Sequence, residues 1–176
     1  MRLLDKEFEL FITQHDIESS IARMAQEISR DYKGVCPLFV GVLNGCFRFA
    51  GEFFKQYNAP CEITFVKMSS YQGLTSTGIV ETLLDASEQV AGRDVIILED
   101  IVESGRTLQQ LVNHFADKKV QSFKIATLFY KPASYDKEYE IAYKGIELPS
   151  EFVVGYGLDY NERGRELNDL YILTSE

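Results

Sequence analysis

The chain has 176 residues, of which 45% are hydrophobic and 26% are charged, and its formal net charge is −9. This length and composition predict a single compact domain over residues 1–176 and exclude a disordered chain. The acidic balance argues against a nucleic-acid-binding surface, which needs clustered Lys and Arg. No apolar run approaches the ~20 residues of a membrane-spanning helix, and the acidic first residues are unlike a secretion signal, so we expect a cytoplasmic protein.

The cysteines and histidines argue against two kinds of site. Cys36, Cys46 and Cys61 are an odd set without a Cys-x-x-Cys pair, which favours reduced, partly buried thiols. His15 and His114, the only histidines, lie far apart in the chain. We therefore expect neither a histidine-based triad nor a multi-histidine metal site.

Helical and strand patterns of apolar residues alternate along the chain. The first helix has its apolar residues on one face, with Asp16 as the expected N-cap and Gly34 after its end. The predicted elements are a helix over 16–32, a strand over 38–43, a helix over 47–57, a strand over 63–68, a small, polar loop over 69–79, strands over 80–84 and 95–98, a helix over 107–118, and strands over 125–130 and 152–154. The composition of the 69–79 loop predicts that it is mobile.

Strand–turn–helix units in series predict an α/β fold with a mainly parallel, twisted sheet flanked by helices. Ligands of such folds bind beyond the carboxyl ends of the strands. The candidate functional segments are therefore those that follow Leu43, Leu98, Tyr130 and Val154.

The most informative of these segments is VIILEDIVESGRTL, over residues 95–108. An apolar strand leads into the acid pair Glu99 and Asp100, and then into a loop with Glu103 and a Ser-Gly turn before a helix. Backbone N–H groups at a helix N-terminus suit a phosphate, and adjacent acids suit a sugar diol or Mg²⁺. The alternative is a pair of solvated acids with Gly105 as an ordinary turn residue. The segment is neither a Walker loop nor a G-x-G-x-x-G dinucleotide loop.

This segment closely resembles the phosphoribosyl-pyrophosphate (PRPP) motif of the type I phosphoribosyltransferases. Further segments resemble the hypoxanthine–guanine members of that family, over about residues 38–175; they are VLNG at 42–45, Ser70-Tyr71, Lys131, FVVGYGLDYNE at 152–162, and Arg165. The resemblance implies the type I phosphoribosyltransferase fold with a small hood. It also implies that a 5-phosphoribosyl group passes from PRPP to hypoxanthine and/or guanine in purine salvage, forming IMP or GMP and pyrophosphate. Mg²⁺ is the implied cofactor, and a homodimer or homotetramer the implied assembly.

The resemblance assigns one set of residues to PRPP. The acid pair is implied to hold the ribose hydroxyls and help position Mg²⁺, and the loop over 103–107 to wrap the 5′-phosphate. The implied PRPP and pyrophosphate residues are Leu43, Asn44, Gly45, Glu99, Asp100, Glu103, Ser104, Gly105, Arg106, Thr107 and Arg165. In the family the loop matching 43–45 often has a cis peptide, and many members carry a basic residue where this chain has Asn44. The 69–79 loop, opened by Ser70 and Tyr71, is implied to close over the substrate.

A second set is assigned to the purine and the metal. Lys131 is implied to donate to the 6-oxo oxygen, Phe152 to stack on the purine, and Val153 to read its edge with backbone atoms. Asp159 is implied at the purine end and at the second Mg²⁺, and the metal residues are Glu99, Asp100 and Asp159.

Glu103 departs from the family pattern. The acid at this position is proposed in the family as the general base or acid at purine N7, but most members have Asp followed by Thr where this chain has Glu103 and Ser104. The extra methylene leaves three possibilities open, which are direct contact with N7, contact through water, and no contact.

Three other functions are weighed against this one. A xanthine or pyrimidine transferase would share the PRPP motif, although Lys131 and the Phe152 segment argue against a pyrimidine. A nucleotide-sensing regulator that binds RNA would share the fold, but the net charge argues against it. A flavodoxin-like nucleotide-binding module would explain the fold without the second set of residues. The sequence leaves the choice among hypoxanthine, guanine and xanthine open.

Overall fold

The computed structural model of the protein describes residues 1–70, 80–86 and 89–175. The strands are β1 (Arg2–Leu3), β2 (Lys6–Ile12), β3 (Leu38–Leu43), β4 (Glu62–Ser70), β5 (Val80–Leu84), β6 (Asp94–Val102), β7 (Ser122–Tyr130), β8 (Tyr143–Glu147), β9 (Val153–Val154) and β10 (Leu170–Ser175). The α-helices are α1 (Gln14–Asp31), α2 (Phe47–Gln56) and α3 (Arg106–Phe115). Within these described ranges, no helix is both long and apolar enough to cross a membrane.

The larger sheet has six strands in the order β5-β4-β3-β6-β7-β8. All neighbours from β4 to β8 pair in parallel, and β5 pairs antiparallel with β4 at one edge. β6 lies between β3 and β7, and all its residues from Val95 to Asp100 are buried. This is the mainly parallel sheet that the sequence predicted. The candidate segments after β3, β6 and β7 therefore lie together at the carboxyl ends of the parallel strands.

Two apolar clusters cover the two faces of this sheet. On one face, α1 and α2 pack against alternate residues of the central strands; the cluster includes Ile17, Ile21, Met24, Phe39, Phe49, Phe53, Ile96 and Leu98. On the other face, α3 packs against the intervening residues; that cluster includes Leu38, Val40, Val95, Ile97, Leu108, Leu111 and Phe115. Successive residues of each strand point to opposite faces, so one strand contributes apolar side chains to both clusters, as expected for a sheet covered on both sides.

A second sheet, which we call the hood, has the order β1-β2-β10-β9 and is antiparallel throughout. The strand predicted over 152–154 is shorter, Val153–Val154, and belongs to the hood, where Val154 pairs with Tyr171. Its expected place in the parallel sheet was therefore wrong. The sequence prediction also missed β1, β2, β8 and β10, which are short or lie largely at the surface.

Several predicted boundaries differ from the structure. Thr13, not Asp16, caps α1, because its side chain accepts a hydrogen bond from the Asp16 backbone N–H. β6 continues to Val102 because its ladder with β7 continues, so the acid pair lies inside a strand and not after it. Ser69 and Ser70 end β4, and α3 ends at Phe115 instead of near residue 118. Residues 71–79, with Tyr71 and most of the predicted mobile loop, lie outside the described residues.

Candidate active site

The turn after β3 packs directly on the acid pair of β6. A Cβ atom at Gly45 would overlap the carboxylate of Asp100, so only glycine permits this close approach. The peptide between Leu43 and Asn44 is cis, the form that the resemblance implied. The structure thus brings together two segments that are more than fifty residues apart in the printed sequence.

The acid pair is buried near the carboxyl end of β6, with Glu99 6% and Asp100 9% exposed. Burial, reinforced by the charge of Asp100, raises the pKa of Glu99 well above its usual range. Burial likewise raises the pKa of Asp100 to about 6, against the opposing effect of hydrogen bonds from the backbone N–H groups of Ile101 and Asp100. Glu99 Oε2 has no hydrogen-bond partner among the described residues. Such a group is costly to bury unless a ligand or ion completes it.

A pocket of about 210 Å³ opens beside the acid pair, lined by Glu99 and by residues 101–108. Gly105 is the N-cap of α3, in the left-handed conformation with φ of 75°, and no side chain caps the helix there. The first N–H groups of the helix have no partner within the helix and therefore suit an anion. Ser104, Arg106 and Thr107, which the resemblance assigned to the 5′-phosphate, line this pocket.

Lys131 follows β7 and is only 3% exposed. Its backbone N–H donates to the Val102 carbonyl at 2.9 Å, which extends the contact between β6 and β7 beyond their last paired residues. Its ammonium donates to the carbonyl oxygen of Glu151 at 2.9 Å and forms an ion pair with Glu103 Oε1. Buried lysines are rarely unpaired, and here the partner is the acid that departs from the family pattern.

Phe152 follows Glu151 and is 42% exposed, so it is not a core residue. Its ring lies 5.8 Å from that of Tyr160 and 6.4 Å from that of Phe8, in tilted or edge-on contacts that support it within the hood. Val153, the next residue, is buried. Since Lys131 binds the carbonyl of Glu151, the ammonium contacts the backbone of the residue before Phe152.

Asp159 and Arg165 form an ion pair, with Arg165 Nη2 2.6 Å from Asp159 Oδ1. The other Asp159 oxygen accepts from the Glu162 backbone N–H at 2.8 Å, and Arg165 Nη1 donates to the Gly157 carbonyl at 2.8 Å. Arg165 is therefore a paired, partly buried charge, with 23% of its side chain exposed. Its charge lowers the pKa of Asp100 while that of Asp159 raises it, so all three lie in one charged neighbourhood.

The predicted metal set of Glu99, Asp100 and Asp159 does not form a ready-made cage. Within the described part of the chain, no three acidic, histidine or cysteine side chains are grouped so that they could hold a metal ion. Both oxygens of Asp159 already have protein partners, since Oδ1 is paired with Arg165 and Oδ2 accepts from the Glu162 backbone N–H. Glu99 and Asp100 alone remain as adjacent buried acids.

A family model described as the phosphoribosyl transferase domain matches residues 12–161. The chain belongs to this family. It is 40% identical over 176 residues to a hypoxanthine-guanine phosphoribosyltransferase of Streptococcus thermophilus, covering 99% of this chain and 98% of that protein. A solved hypoxanthine phosphoribosyltransferase of Staphylococcus aureus superimposes with a TM-score of 0.87 at 36% identity, covering 97% of this chain and 92% of that one.

A longer relative also matches this phosphoribosyl transferase. The bifunctional protein TilS/HprT of Listeria monocytogenes is 41% identical over 169 residues, which cover 96% of this chain and 26% of that protein. The chain therefore spans about a quarter of the length of this curated relative.

Sequence reasoning missed two groups that lie next to candidate site residues of this phosphoribosyl transferase. The carbonyl of Glu151 binds Lys131, but a backbone acceptor leaves no signal in a sequence. Arg48, in the first turn of α2, contacts the segment that carries Arg165. The sequence does carry a signal for Arg48. A cation is unfavourable at a helix N-terminus, so an arginine there suggests a contact outside the helix.

Proposed function

We propose that the chain transfers the 5-phosphoribosyl group of PRPP to a 6-oxopurine, hypoxanthine and/or guanine, forming IMP or GMP and pyrophosphate in purine salvage. The observation that carries this proposal is the arrangement of four features. The buried acid pair, the helix N-terminus with its pocket and the buried Lys131 lie on neighbouring strands of the parallel sheet or follow them, and Lys131 binds the backbone next to the exposed Phe152. A simple nucleotide-binding module would not need the last two.

PRPP would bind where the end of β6 leads into the first turn of α3. The pocket over residues 101–108 receives the 5′-phosphate, through the free N–H groups of α3 and the hydroxyls of Ser104 and Thr107. Glu99 and Asp100 lie beside this pocket and accept hydrogen bonds from the ribose hydroxyls. This arrangement lets a protein of net charge −9 receive a polyanion through local dipoles and a few cations.

Magnesium is the proposed cofactor, bound together with the substrate. Mg²⁺ is usually held by one or two carboxylates together with substrate phosphates and water. Glu99, with its unpartnered Oε2, and Asp100 fit that requirement. When bound, the ion neutralises charge on the departing pyrophosphate. Asp159, whose oxygens are occupied, would contact a second ion through water.

The purine would lie between Phe152 and the ammonium of Lys131. The exposed ring offers one face for stacking, and the backbone of Val153 offers hydrogen bonds at the purine edge. Lys131 has three N–H donors, of which one meets Glu103 and one meets the Glu151 carbonyl. The third is available for the 6-oxo oxygen, so the protein holds the ammonium oriented before the purine arrives.

Glu103 has two roles in this proposal. Its carboxylate is half exposed and forms an ion pair with Lys131. It therefore lies beside the proposed position of the purine, where it can exchange the N7 proton once the purine is bound. The ion pair with Lys131 keeps this carboxylate oriented until then.

Departure of pyrophosphate from ribose C1 leaves positive charge on the sugar, as in other glycosyl transfers. The loop over 43–45 and the guanidinium of Arg165 would receive the leaving pyrophosphate, with Asp159 holding Arg165 in place. The nearby carboxylates of Glu99 and Asp100 would stabilise the positive charge that develops on the sugar. Closing of the site over the substrate would exclude the water that otherwise hydrolyses PRPP.

We further propose that the protein acts in the cytoplasm as a homodimer or homotetramer and binds no nucleic acid. The free thiols of Cys36, Cys46 and Cys61 are consistent with a reducing compartment. Size-exclusion chromatography with light scattering would determine the assembly.

A panel of purine bases tests the proposed function. The purified protein is incubated with PRPP, Mg²⁺ and each of hypoxanthine, guanine, xanthine and adenine, and pyrophosphate release is followed. We expect release with hypoxanthine, guanine or both. Release with none of the four, from protein shown to be folded, would reject the proposal.

A further inference from the structure

Arg48 connects α2 to the segment over 155–168 through four contacts. Its Nη1 donates to the carbonyl oxygens of Glu166 and Leu167, each at 2.7 Å, and its Nη2 donates to Asn168 Oδ1 at 2.8 Å. The guanidinium carbon also lies 4.8 Å from the centre of the Tyr156 ring. One side chain therefore holds both the outgoing and the returning parts of this segment.

The position of Arg48 is unfavourable for the helix itself. It lies in the first turn of α2, where the helix dipole disfavours a cation, and that turn contains no acidic residue. The hydrogen bonds of its guanidinium all go to residues 166–168, outside the helix. The benefit of this arginine is thus to be sought in the segment that it contacts.

That segment sets the position of Arg165. The Gly157 N–H donates to the Arg165 carbonyl at 3.1 Å, and Arg165 Nη1 donates back to the Gly157 carbonyl at 2.8 Å. The Leu167 carbonyl, which Arg48 binds, also accepts from the Tyr156 N–H at 2.9 Å. Arg48 therefore strengthens the same pairing that places the Arg165 guanidinium.

The same segment also touches the loop over 43–45. A Cβ atom at Gly157 would lie 2.5 Å from the Gly45 carbonyl oxygen and 3.8 Å from Arg48 Cβ. Arg48 follows this loop by only three residues. It therefore links the two parts of the cleft assigned above to pyrophosphate, namely the loop on one side and Arg165 on the other.

We propose that Arg48 is a positioning residue for pyrophosphate recognition, which holds Arg165 at a fixed distance from the loop over 43–45. This inference rests on the proposed function, since it assigns pyrophosphate to those two groups. Arg48 contacts no reacting atom in this account. Its planar fork, with two donors on separate nitrogens, is the property that matters, and a lysine would supply the charge without it.

Arg48→Lys is the main test, because it keeps the charge and removes the fork. Misplacing a binding group by about 1 Å can cost ~10²-fold, so we expect kcat/KM for PRPP, and for pyrophosphate in the reverse reaction, to fall about 10- to 100-fold. KM for hypoxanthine should be unchanged. Lys55→Ala is the matched control, since Lys55 lies on the same helix, pairs with Glu52 and makes no hydrogen bond to residues 155–168 among the described residues.

Asn168→Ala gives a second test that leaves Arg48 in place. It removes one acceptor of the guanidinium and should lower kcat/KM for PRPP in the same direction but by less. If both variants act through one contact, their effects in the double variant should be less than additive. Unlike Arg48→Lys, this variant leaves α2 unchanged.

Hydrogen exchange of residues 155–168 separates the inference from the proposed function, because it does not depend on activity. We expect faster exchange there in Arg48→Lys than in the wild type or in Lys55→Ala. Normal PRPP kinetics with unchanged exchange would overturn the inference, as would equal losses for PRPP and hypoxanthine. A wild-type protein without phosphoribosyl transfer would instead reject the proposed function, and exchange alone would then report whether Arg48 holds the segment.

Discussion

Replacing Glu103 by Gln separates its two possible contributions, proton exchange at N7 and pairing with Lys131. Removing a general acid or base typically lowers a rate ~10²–10⁴-fold. The ion pair predicts an effect on purine binding instead, because the Gln side chain keeps an oxygen that can accept from the buried Lys131 ammonium but loses the charge. Proton exchange affects kcat, whereas orientation of Lys131 affects KM for the purine. The two contributions therefore differ in the kinetic constant that they change.

If Glu103 exchanges the N7 proton, Glu103→Gln should lower kcat by ~10²-fold or more, with little change in KM for PRPP. Glu103→Asp is the matched variant, since it keeps the carboxylate but is one methylene shorter. It should retain substantial kcat and raise KM for hypoxanthine, because its contact with Lys131 is weakened. Steady-state pyrophosphate release, measured across pH for both variants, supplies these values. A Gln variant with near-normal kcat would exclude Glu103 from the chemistry.

Three further outcomes follow from the site. Excess EDTA should abolish turnover and added Mg²⁺ restore it, because the described residues offer the ion only an incomplete set of acids; full turnover in EDTA would refute the cofactor. Adenine should react up to ~10⁴-fold less well than hypoxanthine in the same assay, because its amino group cannot accept from Lys131; comparable rates would exclude that role. At pH values above about 6, Asp100→Asn should have a higher melting temperature than the wild type but a lower turnover of PRPP. Equal melting temperatures of the two proteins at every pH would contradict this expectation.

The sign of the Asp100 effect comes from the direction of its pKa shift. A carboxyl whose pKa is raised on folding binds its proton more tightly in the folded protein. The resulting stabilisation is present below the pKa of the unfolded chain and is lost as the pH rises through about 6. The ionised form therefore opposes folding at neutral pH, and Asn, which stays neutral, should give a gain that shrinks as the pH falls. We interpret the buried acid pair as residues that lower the stability of the fold and are retained because they bind substrate.

The local pattern of the chain was sufficient for the parallel sheet and for the segments that carry the candidate site. The apolar runs over 38–43 and 95–98 predicted buried strands, and ligands of parallel sheets bind where such strands end. An acid pair, a Ser-Gly turn and a helix start in direct succession predicted a phosphate site, and the structure places these residues at one pocket because they are neighbours in the chain. The cis peptide after Leu43 was implied by the family resemblance alone.

Only the tertiary structure decided which groups meet across the cleft. Glu103 and Lys131 are 28 residues apart, and their pairing depends on the register between β6 and β7, which no local pattern specifies. The placement of Phe152 in the hood depends on pairing between β9 and β10 near the end of the chain. Sequence periodicity reports which side of an element is apolar, whereas contacts between polar groups depend on how distant elements pack. For that reason, the sequence and its family resemblance predicted candidate residues for the site, and the fold determined which groups they contact.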